Sequence, residues 1–295
     1  MTDEWLLGVL AEASSAVAAT LEGRREGLTG AREGQYGLDV AADEAAVAVL
    51  SAAGLGVVSE ESGLHHPERP VRVVLDPVDG STNAHRGLPW YATSLCALDE
   101  EGPRAALVDD HASRRRYRAV RGGGATVDGR PVRPSGATGL EGTVVAVTGV
   151  PGPARPWWQH RFLGAVALDL CAVADGRLDA YVDCSPAGHA PWDYLGALLV
   201  CREAGVAAID RHGRELAPGG GDRRHGRELA PGGGDRRHVS AGGGGRHVSA
   251  GGGDRRDVSA GGGDRRHVLA AATPELLARL AAELGIAPAA GASEA

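Results

Sequence analysis

A tandem repeat rich in glycine and arginine runs from about residue 211 to residue 266. A 13-residue unit, His212 to Arg224, recurs without change as His225 to Arg237, and shorter units built on Val-Ser-Ala-Gly-Gly-Gly follow. Solenoid repeats bury apolar positions against the neighbouring unit, but these units carry almost none. Their glycine triplets also make an ordered backbone entropically expensive. We therefore predict that the tract is a flexible surface insertion and that the core is built from the residues on either side of it.

Two functional interpretations of the tract are alternatives to a flexible spacer. Segments rich in glycine and arginine can bind nucleic acid, and the histidines of the tract could hold a metal ion. The tract contains 12 Arg against 7 acidic residues, and it offers no aromatic side chain on which a base could stack. The sequence therefore favours a solvated spacer.

Charge and composition argue against several classes of protein. A formal charge of −7 disfavours non-specific binding to nucleic acid or to a membrane surface as the main role. The first residues carry the acidic pair Asp3-Glu4, where a secretory signal would be basic. No apolar run approaches the roughly 20 residues that a membrane span needs. The four cysteines form no Cys-x-x-Cys pair, which is typical of reduced, buried thiols. We expect a cytoplasmic protein.

Outside the tract, hydrophobic periodicity predicts a mixture of helices and strands. Apolar residues recur at helical spacing from Asp3 to Leu21, and a second helix is predicted over about 43–53. Short strands rich in Val and Leu follow, with a hairpin over about 115–133. Further helices are predicted in three later segments: about 163–175, about 193–204, and from Thr273-Pro274 onward. Such a mixture indicates layered α/β or α+β architecture.

The strongest chemical signal is the segment from Asp76 to Thr82, Asp-Pro-Val-Asp-Gly-Ser-Thr, which directly follows a predicted strand. Two carboxylates three residues apart, with a rigid proline between them, direct hard oxygen ligands toward one point, as Mg²⁺ requires. Gly80, Ser81 and Thr82 then offer backbone N–H groups and hydroxyls of the kind that hold a phosphate. A polar turn that closes the strand is the simpler alternative.

Two further acidic positions strengthen the metal interpretation. Glu60-Glu61 end another predicted strand, and Asp193 stands at the start of a predicted helix. Taken singly, a solvated loop and an acidic residue in a first helical turn explain them equally well. Together with the Asp76–Thr82 segment, their order and local context favour a shared metal site.

Three segments, in this order, resemble the metal-binding signature of the inositol monophosphatase and fructose-1,6-bisphosphatase superfamily: Glu60-Glu61-Ser62, Asp76 to Asn83, and Trp192-Asp193. The resemblance covers roughly 1–210 and 267–285, so the repeat tract interrupts it. It implies an α/β layered sandwich of the αβαβα type found in inositol monophosphatases. An N-terminal α+β half would span 1–140 and a C-terminal α/β half 141–295.

The resemblance also implies a set of metal ligands. Glu60, Asp76 and the Val78 carbonyl would hold one Mg²⁺, and Asp76, Asp79 and Asp193 would hold a second. A third, weaker ion would use Glu60 through water, which gives Glu60 a catalytic role as well. The implied cofactor is therefore two to three Mg²⁺ ions.

The remaining implied roles concern water and substrate. Ser81 stands where the family usually has threonine, and its hydroxyl would orient the attacking water with help from Asp43. The backbone amides of Gly80 and Ser81, with Thr82 beside them, would hold the phosphate. Asp183 matches a carboxylate that contacts a sugar hydroxyl. A homodimer is also implied.

The sequence departs from the family pattern near the motifs, at Ala84, Leu195, Val206 and Val40-Ala41, but at no metal ligand. Inositol monophosphate is the favoured substrate, with fructose 1,6-bisphosphate, histidinol phosphate and 3′-phosphoadenosine 5′-phosphate as alternatives. The motifs do not separate these four, because they bind the phosphate and the metal ions that all four have in common. A non-catalytic binding protein on the same scaffold is the alternative from another class. Retaining mutually repelling buried carboxylates without a cation would be costly, which favours the enzyme.

Overall fold

The computed structural model of the protein describes residues 1–22, 36–152, 157–214, 216 and 265–287. In this part of the chain the helices are α1 (Asp3–Leu21), α2 (Gly37–Ala52), α3 (Ser81–Arg86), α4 (Val166–Ala174), α5 (Pro191–Ala204) and α6 (Pro274–Glu283). The strands are β1 (Gly56–Ser59), β2 (Gly63–His65), β3 (Arg72–Asp79), β4 (Ala92–Asp99), β5 (Gly102–Asp110), β6 (Arg115–Val120), β7 (Gly124–Val127), β8 (Arg130–Pro131), β9 (Val144–Gly149), β10 (Gln159–Arg161), β11 (Ala180–Cys184), β12 (Ala207–Asp210) and β13 (Val268–Ala271).

The larger sheet contains eight strands in the order β2-β1-β3-β4-β5-β6-β7-β8. β1 and β3 run parallel, and the other neighbours run antiparallel. Successive side chains of a strand point to opposite faces, so Val73 and Leu75 pack with residues of α1 and α2 while Val74 packs with α4 and α5. The sheet is therefore covered by helices on both faces.

The smaller sheet contains five strands in the order β10-β9-β11-β13-β12. β9 runs parallel to both β10 and β11, and β13 runs antiparallel to β11 and β12. Alternation again divides the side chains, since Val145 and Val147 pack with α6 whereas Ala146 packs with α4 and α5.

These contacts arrange the chain in five layers, with α1 and α2 outermost, then the larger sheet, then α4 and α5, then the smaller sheet, then α6. All nine residues of α4 are buried, as expected for a helix enclosed between two sheets. The αβαβα fold implied by the sequence is confirmed. The division into halves at residue 140 stays a prediction, because helices of the second half pack against both sheets.

Among the described residues, one helix, α1, is long and apolar enough to cross a membrane by length and composition. The expectation that no apolar run would reach that length is therefore wrong. One face of α1, with Leu6, Leu10 and Val17, is fully buried in the cluster that α1 forms with α2 and the larger sheet. Packing in the core thus accounts for the apolar composition of this face.

Both ends of the repeat tract belong to the fold, which corrects the prediction of a spacer over all of 211–266. After β12, the Leu216 N–H donates to the Ala208 carbonyl at 3.1 Å, and Leu216 is buried. Before β13, Arg266 forms an antiparallel bridge with His189. The predicted spacer between them, 217–264, lies outside the described residues.

Candidate metal centre and active site

The parallel pair β1–β3 brings the first two acidic positions together. Ser59 lies beside Leu75 in the register, and the Glu60 N–H donates to the Leu75 carbonyl at 3.1 Å. Glu60, which directly follows β1, and Asp76, within β3, therefore lie side by side where the parallel pairing ends, at the carboxyl end of β1, where α/β folds commonly form their sites. This edge of the larger sheet is called the site edge below.

Asp193 completes a group with these two residues. It lies in the first turn of α5, where its Oδ2 accepts a hydrogen bond from the Ala190 N–H at 2.8 Å. One carboxylate oxygen each of Glu60, Asp76 and Asp193 lies within 4.8 Å of the other two. The group consists of carboxylate oxygens alone, which are the donors that Mg²⁺ prefers, so it fits this ion.

Asp79, the fourth predicted carboxylate ligand, lies beside this group. Its two oxygens accept hydrogen bonds from the backbone N–H groups of Val166 (3.2 Å) and Ala167 (2.7 Å), at the start of α4. Val78, whose carbonyl was also predicted as a ligand, is buried and donates its N–H to Asp76 Oδ1 at 3.0 Å. A helix start stabilises a carboxylate, and each oxygen keeps a second lone pair.

The carboxylates of the site raise one another's pKa values. Desolvation, with repulsion from Glu60 and Asp79, raises the pKa of Asp76 well above its ordinary value. Desolvation and repulsion from Asp193 do the same to the pKa of Asp79. Desolvation of its carboxyl group, followed by repulsion from Asp193 and Glu61, raises the pKa of Glu60 to about 8, although Glu60 as a whole remains exposed. A bound divalent cation would relieve this repulsion.

The structure pairs the carboxylates of α2 differently from the prediction. Asp43, the expected partner of Ser81, is buried and accepts a hydrogen bond from the Ser59 hydroxyl. Asp39, one helical turn earlier, is the residue that interacts with Ser81. The reason is the direction of α2, whose N-terminal turn lies at the site edge while Asp43 lies one turn deeper, beneath the end of β1.

Asp39 is a site residue that the sequence analysis did not identify. It is 3% exposed. Desolvation and repulsion from Glu61 raise its pKa to about 7, although hydrogen bonds from Tyr36 and Ser81 act to lower it. The available signal was its spacing from Asp43, because residues four apart share one face of a helix.

Gly80 fixes the turn that presents Ser81 and Thr82. Its φ is +85°, and a Cβ at this position would lie 2.9 Å from the Trp90 carbonyl oxygen, so this backbone conformation requires glycine. Two residues after Ser81, the Asn83 side-chain amide donates to the carbonyls of Trp90 (2.8 Å) and Leu163 (2.7 Å). The turn is therefore held both to the segment before β4 and to the segment that leads into α4.

Asp183, the predicted substrate contact, lies at the end of β11 with its side chain fully buried. His189 connects it with the metal-ligand group, since its Nε2 lies 3.4 Å from Asp183 Oδ2 and its Nδ1 lies 3.5 Å from Asp193 Oδ2. The same Nε2 lies 2.6 Å from the Tyr181 hydroxyl. The sequence analysis did not identify His189, although its position four residues before Asp193 was a signal.

Comparison with known proteins agrees with the resemblance seen in the motifs. The model of the inositol monophosphatase family matches residues 9–238 of this chain. The Nus factor SuhB of Escherichia coli (strain K12) is 34% identical over 170 residues, which are 52% of this chain and 62% of that protein. The fructose-1,6-bisphosphatase/inositol-1-monophosphatase of Methanocaldococcus jannaschii is 30% identical over 192 residues, 60% of this chain and 72% of that protein. The match to SuhB thus spans less than two thirds of its length.

Solved structures share the fold over longer stretches. An inositol monophosphatase from Anabaena superposes with a TM-score of 0.68 at 20% identity, covering 97% of both chains. The extragenic suppressor protein SuhB of Bartonella henselae superposes with a TM-score of 0.63 at 27% identity, covering 70% of this chain and 88% of that one.

Proposed function

This chain belongs to the inositol monophosphatase family, and we propose that it is a Mg²⁺-dependent phosphomonoesterase that hydrolyses a small sugar or polyol phosphate. The observation that carries the proposal is the convergence of Glu60, Asp76 and Asp193 at the site edge, with one oxygen each within 4.8 Å of the others. Three acidic groups in one place are unfavourable without a cation, and phosphoryl transfer is the chemistry that such a cation serves in this family.

In the proposed mechanism, the metal ions would be held by Glu60, Asp76, Asp79, Asp193 and the Val78 carbonyl. When bound, Mg²⁺ supplies a Lewis acid that activates water and neutralises the phosphate charge. Asp79 is positioned by the start of α4, because the N–H groups there fix both of its oxygens.

The attacking water is oriented by the Ser81 hydroxyl, and Asp39 orients that hydroxyl by accepting its proton in a hydrogen bond. We assign this role to Asp39 in place of Asp43, because the Asp43 carboxylate accepts its hydrogen bond from Ser59, whereas Asp39 interacts with Ser81. The water attacks the phosphorus and gives up one proton, which passes through the Ser81 hydroxyl to Asp39 and from there to solvent. The bond to the substrate oxygen breaks, and the leaving alkoxide takes a proton from solvent.

The phosphate is held by the backbone N–H groups of Gly80 and Ser81 and by the Thr82 hydroxyl. Asp183 accepts a hydrogen bond from a substrate hydroxyl once its side chain, fully buried without substrate, becomes accessible on binding. Inositol monophosphate is the substrate that family membership favours. Fructose 1,6-bisphosphate follows, since one relative carries both activities in its name. Histidinol phosphate and 3′-phosphoadenosine 5′-phosphate share the same phosphate chemistry. We also propose that the protein is cytoplasmic and that it is a homodimer; light scattering on the purified protein tests the dimer.

A second candidate function is a non-catalytic role. The SuhB relatives are named Nus factors, which favours a protein that acts through partners on the same scaffold. The two candidates differ at the carboxylate group, because only the enzyme needs Glu60, Asp76 and Asp193 to bind a metal ion productively.

The deciding experiment measures phosphate release from these four substrates with Mg²⁺ and with a chelator. The enzyme predicts release that needs Mg²⁺, that Glu60→Gln lowers by at least about 100-fold, and that the matched control Glu275→Gln, exposed on α6, leaves unchanged. Release equal to the chelated control for all four substrates would reject the phosphomonoesterase and leave the non-catalytic candidate.

A further inference from the structure

The end of the repeat tract, Arg265-Arg266, and the next residue, His267, lie against the loop that joins β11 to α5. Arg266 and His189 exchange two backbone hydrogen bonds of 2.8 Å each. Arg265 Nη1 donates to the Gly188 carbonyl at 3.0 Å, and His267 Nε2 lies 2.8 Å from the Ser185 carbonyl, to which it donates. We call these three residues the strap and residues 185–190 the site loop.

Gly188 shows how closely the strap approaches the site loop. Its φ is +68°, and a Cβ there would lie 3.0 Å from the backbone carbon and oxygen of Arg266 and 3.1 Å from His267 Nδ1. Only glycine combines this conformation with such a close approach. The contact is therefore a packed one and does not depend on long side chains alone.

The strap is also tied to the other end of the repeat tract through Asp210. Arg266 Nη1 lies 3.6 Å from Asp210 Oδ2, and both side chains are mostly buried. Arg214, in the first repeat unit, binds the same carboxylate through Nε at 2.7 Å and Nη2 at 2.6 Å. Desolvation acts to raise the pKa of Asp210, but the hydrogen bonds from Arg214 and His212 hold it below its ordinary value. Asp210 thus joins both ends of the tract as an anion.

The site loop leads directly to the proposed active site. It carries His189, whose ring lies between Asp183 and Asp193 at 3.4 and 3.5 Å. Ser185 also donates its backbone N–H to Asp183 Oδ1 at 2.8 Å. A displacement of the site loop would therefore change the spacing between the proposed substrate contact and the proposed metal ligand.

We propose that the strap is a positioning element of the active site, acting on Asp183 and Asp193 through the site loop, and that other copies of its sequence can replace it. The inference rests on the proposed function. The sequence Asp-Arg-Arg-His occurs three times in the chain, at 222–225, 235–238 and 264–267. Deletion of 225–266, or of the single unit 257–266, therefore leaves one Asp-Arg-Arg-His copy immediately before β13, where the strap is formed.

The test compares two shortened proteins of equal length. Deletion of 225–266 joins Arg224 to His267 and leaves Asp222-Arg223-Arg224 in front of it, so Arg223 and Arg224 take the places of Arg265 and Arg266. The second protein carries the same deletion with Arg223→Ala and Arg224→Ala. The full-length chain with Arg265→Ala and Arg266→Ala serves where a deletion fails to fold, and Arg255→Ala with Arg256→Ala, in the internal sequence Asp254-Arg255-Arg256-Asp257, is its matched control.

The first deletion should keep KM within about threefold of the full chain, because a strap remains. Its double-alanine version, and the full chain with Arg265→Ala and Arg266→Ala, should raise KM and the Mg²⁺ concentration for half activity by about fivefold or more, as expected for lost hydrogen bonds. Their kcat should change less. A purely structural role would lower kcat with the fraction folded and leave KM unchanged. His267→Gln, which keeps a donor, should preserve KM better than His267→Ala.

A second readout separates the failure of the strap from the failure of the proposed function. Amide hydrogen exchange of 185–190, measured without metal or substrate, should rise in both double-alanine proteins and stay unchanged in the Arg255/Arg256 control. Unchanged exchange together with unchanged KM overturns the strap. If the full-length chain hydrolyses none of the substrates, but the double-alanine proteins show the increase in exchange, the proposed phosphatase is overturned and the strap is supported.

Discussion

Replacing Asp39 by Asn removes a buried charge and leaves Ser81 with an amide oxygen that accepts a hydrogen bond but cannot take a proton. Asp39 is 3% exposed, and its pKa is raised from 3.8 to about 7, by desolvation first and by Glu61 second. At about 1.4 kcal/mol for each pKa unit, this rise corresponds to about 4 kcal/mol of unfavourable charging in the folded protein without metal. Local relaxation reduces that figure, and we expect about 2 kcal/mol.

The sign of the effect follows from the raised pKa of Asp39. The folded protein holds the proton more tightly than the unfolded chain, so its free energy of unfolding falls as the pH rises from about 4 to about 7. The Asn variant lacks this fall. Without metal, Asp39→Asn should therefore match the wild type near pH 4 and be more stable by about 2 kcal/mol at pH 8.

Urea unfolding at the two pH values, in the presence of a chelator, measures this difference. The matched control is Asp43→Asn on the same helix, which replaces the carboxylate acceptor of the Ser59 hydroxyl by a weaker amide acceptor and should be destabilised at pH 8. With Mg²⁺ and substrate, Asp39→Asn should lower kcat by about 100-fold, in the range for a lost proton acceptor, and Asp43→Asn should lower it less. An Asp39→Asn protein that is no more stable at pH 8 than the wild type, or that keeps its kcat while Asp43→Asn loses it, would refute the reasoning.

Three further predictions concern the metal centre and its turn. Asp79→Asn and Asp193→Asn should keep the fold and lower kcat by at least about 1,000-fold, because each removes a proposed metal ligand; turnover within threefold of wild type contradicts the assignment. Ser81→Ala should lower kcat with little change in KM, and Ser81→Thr should restore kcat, whereas a rise in KM alone would make Ser81 a substrate contact. Removing Mg²⁺ should lower the melting temperature more at pH 8 than at pH 5. The reason is that carboxyl groups with raised pKa values, such as Glu60, lose their protons between these pH values and then repel one another. Calorimetry that finds equal shifts of the melting temperature at both pH values rejects this prediction.

The layers of the fold could be predicted because each element carries its own periodicity. Val73, Val74 and Leu75 alternate between two helix-covered faces of β3, and a strand buried on both faces has a continuous apolar run that sequence reading recognises. The start of α2 could not be placed in the same way. Its first turns contain Asp39 and Asp43, and both are buried, against the general rule that charged residues lie at the surface.

Contacts between distant segments explain the remaining differences between sequence and structure. The sequence indicated Asp43 by its position in a family motif, but the pairing of Asp43 with Ser59 and of Asp39 with Ser81 depends on how deeply α2 lies over β1. His189 meets Asp183 and Asp193 only because β11 and α5 converge. No local pattern encodes that convergence.

The position of the repeat tract explains how the chain tolerates it. β12 and β13 are antiparallel neighbours at one edge of the smaller sheet, so a connection of any length can join them, and the entropy of closing it grows only slowly with its length. The two ends of the tract are held in the fold, because Arg214 and Arg266 both bind Asp210 and Arg266 pairs with His189. A repeat that varies by whole units changes the length between these anchors and preserves the anchors themselves. We infer that the register of the repeat, and not its length, is what the active site requires.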